Sequence, residues 1–92
     1  MRAMHIFTDV KSVKIYTTQT CPYCSRAKRL LERKNVQYQE IDVSWDDEAR
    51  TRLTQSTGCR TVPQIFIGEH HVGGSDELHA LEARGELDPL LQ

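Results

Sequence analysis

The chain has 92 residues, with 38% hydrophobic and 27% charged side chains, and its 12 basic and 13 acidic residues give a formal net charge of −1. This length bounds it to one small domain, and the apolar content excludes a disordered chain. The balanced charge excludes a general field for nucleic acid, and no apolar run is long enough to span a bilayer.

The first stretch, MRAMHIFTDVKS, lacks the apolar core and cleavage pattern of a signal peptide, so a cytoplasmic location is the expectation. Residues 1–12 read as an N-terminal extension, with the domain proper over 13–92. Val13–Thr18, VKIYTT, alternates apolar and polar side chains and predicts a strand. The segment from Pro22 to Lys34 predicts a helix, because Tyr23, Ala27, Leu30 and Leu31 recur on one face. Pro22 suits the first helical turn, where its missing N–H is no loss. Cys21 then falls at the helix N-terminus and Cys24 one turn further in. Arg26, Lys28, Arg29, Arg33 and Lys34 crowd the same helix, either as a solvated face or as a positive field beside Cys21.

Val36–Val43, VQYQEIDV, predicts a second strand. Ser44 as N-cap and Asp47 as its N3 acid open a helix over 46–57, with a thin apolar face (Ala49, Leu53) and Gly58 as its stop. Pro63–Gly68 predicts a third strand. Gly68-Glu69 makes a tight turn into a short fourth strand that ends at Gly73-Gly74, and His70 and His71 on it are expected to face solvent. Ser75–Arg84 predicts a helix stopped by Gly85, and ELDPLL a last short turn. The order is β-α-β-α-β-β-α. The first β-α-β requires parallel strands and a right-handed crossover, and the hairpin adds antiparallel strands. An α/β domain with a mixed four-stranded sheet flanked by helices follows.

Three chemistries compete for Cys21-Pro-Tyr-Cys24. A structural zinc site needs four ligands, and neither a second Cys-x-x-Cys nor a spaced histidine pair is present. A structural disulfide across three residues closes too small a loop to constrain the chain much. A redox pair remains, and in the cytoplasm that is the reading such spacing favours. Free N–H groups and partial positive charge at a helix N-terminus stabilise a thiolate at Cys21. Cys24 shares a stripe with Ala27 and Leu31 and is expected to be the less exposed thiol. Cys21 would attack and Cys24 would resolve.

CPYC after an IYTT strand, RTVP at 60–63 and GGSDEL at 73–78 occur in that order. In these motifs the chain resembles a dithiol glutaredoxin of the thioredoxin-like superfamily, over about residues 13–91. The resemblance implies a thioredoxin-like three-layer fold. It implies reduction of glutathione mixed disulfides and protein disulfides, with glutathione as reducing co-substrate and no permanently bound cofactor or metal. Its partners would be glutathione and disulfide-containing or glutathionylated proteins, met by a monomer without nucleic acid or membrane.

The resemblance also assigns roles. Pro63 would be a cis-proline facing Cys21. Val62, beside Thr61, would offer its backbone N–H and C=O to the cysteinyl part of glutathione, as an added strand does. Gly74, Ser75 and Asp76 would take the γ-glutamyl end, with its carboxylate on the helix N-terminus and its ammonium on Asp76 at an enclosed helix start. Tyr23 would flank the thiol, and Arg50 would hold the glycine carboxylate. The sequence departs from the family at Thr18, where many members carry a lysine for that carboxylate, and at Cys59, an extra thiol. Two alternatives stand beside this reading. One is a carrier of a glutathione-ligated [2Fe–2S] cluster, which Pro22 argues against. The other is a hydrogen donor served by thioredoxin reductase, which GGSDEL argues against.

Overall fold

Strand β1 (Val13–Thr17) buries Val13, Ile15 and Thr17 on one face and exposes Lys14 on the other, the alternation that a half-buried strand requires. It belongs to a computed structural model that describes residues 11–92. Around it lie α1 (Pro22–Arg33), β2 (Gln39–Asp42), α2 (Asp47–Thr57), β3 (Gln64–Ile67), β4 (His70–Gly73), α3 (Ser75–Ala83) and α4 (Leu87–Leu91). The expected extension over 1–12 lies outside the described residues except for Lys11 and Ser12. The Lys11 N–H donates to Leu91 O at 3.1 Å, and Ser12 O accepts from the Gly68 N–H at 2.7 Å.

The sheet order is β2-β1-β3-β4. β1 runs parallel to β2 and antiparallel to β3, and β4 is antiparallel to β3. This is the mixed four-stranded sheet, flanked by helices, of a thioredoxin-like three-layer fold. One face packs Val13, Ile15, Ile65 and Ile67 against Ala27, Leu30 and Leu31 of α1, Leu78 of α3, and Leu87 and Leu91 of α4. Burying such a side chain contributes roughly 1.5–3 kcal/mol. The final ELDPLL turn is thus a helix with two core residues. Lys34, which caps α1, reaches Glu82 at 2.9 Å and Asp88 at 2.8 Å, tying α1 to α3 and α4. The other face carries an aromatic row. Tyr16 meets Phe66 edge-on at 5.8 Å, and Phe66 lies 5.0 Å from the His71 ring. α2 contributes one buried side chain, Leu53.

Three expectations need correcting. β2 starts three residues later than the sequence pattern predicts. Asn35 takes a left-handed backbone (φ 59°), and the Val36 N–H returns to Leu31 O at 3.0 Å, so the chain is still closing α1 when the β pattern begins. The N-cap of α2 is Asp46, whose carboxylate accepts from the Ala49 N–H at 3.0 Å. Ser44 is engaged elsewhere: its oxygen accepts the Gln19 N–H at 2.8 Å while its hydroxyl donates to Asp42 at 2.6 Å. His71 does not face solvent: it is half-buried, and its Nε2 lies 2.6 Å from Oε1 of the buried Gln64.

The strand directions gather the loops that matter. The ends of β1, β2 and β4 and the start of β3 all meet at one edge of the sheet, since Thr17 pairs with Asp42, Tyr16 with Gln64 and Ile65 with Gly73. Cys21, Trp45, Val62-Pro63 and Gly74–Asp76 emerge there.

Candidate active site

Cys21 is the N-cap of α1. Its backbone is extended (φ −127°, ψ 101°), and its sulfur accepts the Cys24 N–H at 3.1 Å. Sulfur thereby takes the place an N-cap oxygen usually fills. A thiolate there gains from the hydrogen bond and from the positive end of the helix. No acidic residue stands in the first turn of α1 to oppose it. Cys21 is half-buried and reachable. On its other side the thiol points at Val62 O, 3.6 Å away.

Cys24 is 1% exposed. Burial, and then the Cys21 sulfur beside it, push its thiol up to about 12, against smaller opposing pulls from the Thr18 N–H and the Lys28 ammonium. The two sulfurs thus differ in kind. One is reachable and accepts a backbone N–H, while the other is sealed and held as a neutral thiol. Cys59, the third thiol, sits half-buried after α2 with its S–H directed to Thr57 O at 3.6 Å.

A cleft of about 300 Å³ opens beside Cys21. It is lined by Tyr23 of α1, by Thr61, Val62 and Pro63 before β3, and by Gly74, Ser75 and Asp76 at the start of α3. The Val62–Pro63 peptide bond is cis. Tyr23 is 54% exposed, with the Arg26 guanidinium 5.9 Å from its ring. Asp76 is exposed, so the helix start it occupies is open to water rather than enclosed as the sequence reading had it. Glu77 also lines this cleft and was missed by the sequence reading. Its Oε1 accepts the Gly74 N–H at 2.8 Å, the returning half of a capping box. An acid three residues after the glycine was the signal available for it.

Arg50 does not line this cleft. With Thr18, Thr20, Ser44 and Trp45 it lines a second depression of about 280 Å³. Cys21 stands in the chain between Thr20 of one and Tyr23 of the other. Trp45, 87% exposed, is the second residue the sequence reading passed over; a tryptophan in a polar loop leading out of a strand was its only mark. Among the described residues, no group of three or more His, Cys, Asp or Glu side chains is placed to hold a metal ion, and no helix is long and apolar enough to cross a membrane.

Comparison with known proteins is consistent across sequence and fold. The glutaredoxin family model matches residues 13–72. A glutaredoxin of Pseudomonas aeruginosa is 60% identical over 79 residues, spanning 86% of this chain and 94% of its own. Glutaredoxin 3 of Escherichia coli K12 is 52% identical over 81 residues, spanning 88% and 98%. Among solved structures, a buckwheat glutaredoxin–glutathione complex superposes with a TM-score of 0.84 at 33% identity, covering 97% of this chain and 86% of that one. The Brucella melitensis glutaredoxin gives 0.81 at 52% identity, covering 89% of each.

Proposed function

The chain belongs to the glutaredoxin family and is a glutathione-dependent thiol–disulfide oxidoreductase, and from that premise we propose how its own residues carry the reaction. The Cys21 thiolate attacks a disulfide sulfur of the substrate. When the substrate is a glutathione mixed disulfide, attack on the glutathione sulfur releases the reduced protein thiol and leaves glutathione on Cys21. A second glutathione thiolate then frees Cys21 as glutathione disulfide leaves. When the substrate is a protein disulfide, Cys24 attacks Cys21, expels the second substrate thiol and closes a Cys21–Cys24 disulfide, which two glutathiones reopen. The observation that carries this reading is the hydrogen bond from the Cys24 N–H to the Cys21 sulfur. It supports charge on the reachable sulfur and keeps the partner sulfur one turn away.

Glutathione is the reducing co-substrate, as the buckwheat complex supports for the family. In our reading its cysteinyl backbone pairs with Val62 beside Thr61 and Pro63, and Tyr23 covers the sulfur. Its γ-glutamyl carboxylate meets the N-terminus of α3 at Gly74 and Ser75, with the ammonium on Asp76. The glycine carboxylate reaches across Cys21 to Arg50. With Thr18 uncharged, Arg50 is the cation of that depression. The partners would be disulfide-containing or glutathionylated proteins, met by a monomer in a reducing compartment such as the cytoplasm.

The test is a glutathione-coupled assay on a small mixed disulfide and on a protein disulfide. Cys21→Ser is expected to lose both activities. Cys24→Ser is expected to keep much of the first and lose the second. Substantial turnover by Cys21→Ser in either assay would sink the assignment.

A further inference from the structure

Behind the resolving thiol lies a charged cluster that this mechanism has not used. Lys28 follows Cys24 by one helical turn, a spacing that brings side chains within about 6 Å at Cβ. Its ammonium is paired with Glu40 Oε2 on β2 at 3.0 Å. The same oxygen accepts the Thr17 hydroxyl at 2.8 Å. Thr17 is 1% exposed at the end of β1, and the backbone of the next residue, Thr18, opposes the upward push on the Cys24 thiol. The cluster is therefore anchored in the sheet, with Lys28 one helical turn from Cys24.

We propose that Lys28 is a positioning residue for the resolving step: fixed by Glu40 and Thr17, its ammonium stabilises the negative charge that develops on Cys24. The inference rests on the reading of Cys24 as resolving thiol. In that step the Cys24 S–H gives its proton to solvent, and the thiolate attacks Cys21 Sγ. The Cys21–substrate S–S bond breaks as the Cys21–Cys24 bond forms. The substrate thiolate leaves and is protonated, so the pair of cysteines is oxidised by two electrons and the substrate disulfide reduced by two. When glutathione reopens the enzyme disulfide at Cys21, Cys24 departs as a thiolate, and Lys28 serves that step as well.

The charges around the thiol make this assignment specific. The Cys21 sulfur opposes ionisation of Cys24, and Lys28, one helical turn on, favours it. Arg26 is turned toward the Tyr23 ring. On β2, Glu40 and Asp42 face Lys28, and Asp42 is itself engaged by the Ser44 hydroxyl at 2.6 Å. Burial works against the Glu40 carboxylate, but the Thr17 hydroxyl and the Lys28 ammonium outweigh it and hold Glu40 below its usual range. Glu40 is thus charged, and the tether is in place, throughout the working pH range.

The experiment loads glutathione onto Cys21 and follows its release as the Cys21–Cys24 disulfide closes, as a function of pH. Lys28→Gln keeps a polar partner for Glu40 without the charge, and Lys28→Met removes both. Each is expected to slow closure by about three- to ten-fold, the scale of a screened charge interaction across one helical turn. The rate profile should move to higher pH by half a unit to one unit, while Lys28→Arg stays near wild type. In a Cys24→Ser background, Lys28→Gln should leave turnover of the small mixed disulfide unchanged. An unshifted profile, or equal slowing in that background, overturns the proposal, since Lys28 would then not act through Cys24. If no intramolecular disulfide forms even in the wild type, the resolving role of Cys24 fails and the proposal falls with it. That result is distinct from a closure indifferent to Lys28.

Discussion

Replacing Asp76 separates a binding role from a structural one. Asp76 is exposed at the start of α3 and lines the cleft beside Cys21. Its neighbour Glu77 is already engaged by the Gly74 N–H at 2.8 Å, which leaves Asp76 as the carboxylate for the ammonium in the proposed glutathione pose. An enclosed, charge-assisted hydrogen bond there would be worth about 1.5–3 kcal/mol. The open geometry lowers this to the exposed-pair range of about 0–1 kcal/mol. Asp76→Ala and Asp76→Asn are therefore both expected to raise the glutathione concentration giving half-maximal rate by about two- to five-fold, since 1 kcal/mol is roughly a factor of five. The limiting rate should hardly change. Because the Debye length is only about 3 Å at 1 M salt, the difference between wild type and variant should shrink as salt is added. The assay is the glutathione dependence of small mixed-disulfide reduction at two ionic strengths. An unchanged dependence would reduce Asp76 to a helix-start residue and move the γ-glutamyl site elsewhere. A salt-independent loss of a hundredfold would refute the solvent-screened geometry.

Three further outcomes follow from the packing and the charges. The unfolded Cys24 thiol ionises near 9.0 and the folded one near 12, so its contribution to stability is intact below pH 9 and declines as pH rises between those values. Alkaline unfolding curves of wild type and Cys24→Ala should differ in slope in that window, and parallel curves would contradict the burial of the thiol. Glu77→Ala removes the bond to the Gly74 N–H and should cost about 0.5–1.5 kcal/mol, a fall of several degrees in Tm, whereas Glu77→Gln keeps an acceptor and should cost less. Identical melting of the two variants would mean that the bond does not hold the helix start. Leu31→Ala, at a side chain with no exposure in the main core, should cost about 2–5 kcal/mol by urea denaturation, and a loss under about 1 kcal/mol would contradict its place in the core.

Much of this was legible in the sequence because local rules and packing agreed. The recurrence of Tyr23, Ala27, Leu30 and Leu31 gave the helix, the Cys24, Ala27, Leu31 stripe gave the sealed thiol, and the β-branched alternation of Val13–Thr18 gave the first strand. The readings went astray where a side chain had a partner far along the chain or an unusual local backbone. Ser44 was spent on Asp42, so the cap passed to Asp46. Asn35 in a left-handed conformation delayed β2. His71 found Gln64 across the hairpin, a pairing that strand register alone decides. In the site, the motif residues around Tyr23, Val62 and Gly74 line one cleft, but the separate depression of Arg50 and the open setting of Asp76 depend on tertiary geometry. Lys28 belonged to a basic run open to two readings, a solvated face or a positive field beside Cys21, and the position of Glu40 on the neighbouring strand is what sets it apart.

The strand directions have a practical consequence. All the chemistry lies at one edge of the sheet, and the Gly68-Glu69 hairpin tip lies at the other, beyond the four residues of β3, a span of roughly 13 Å at 3.3 Å per residue. Glu69 and His70 are exposed there. A fluorophore, an affinity handle or an electrode surface attached at Glu69 faces away from Cys21 and leaves both depressions open to incoming disulfides. The protein thus comes with a natural back, by which it can be held while its thiols work.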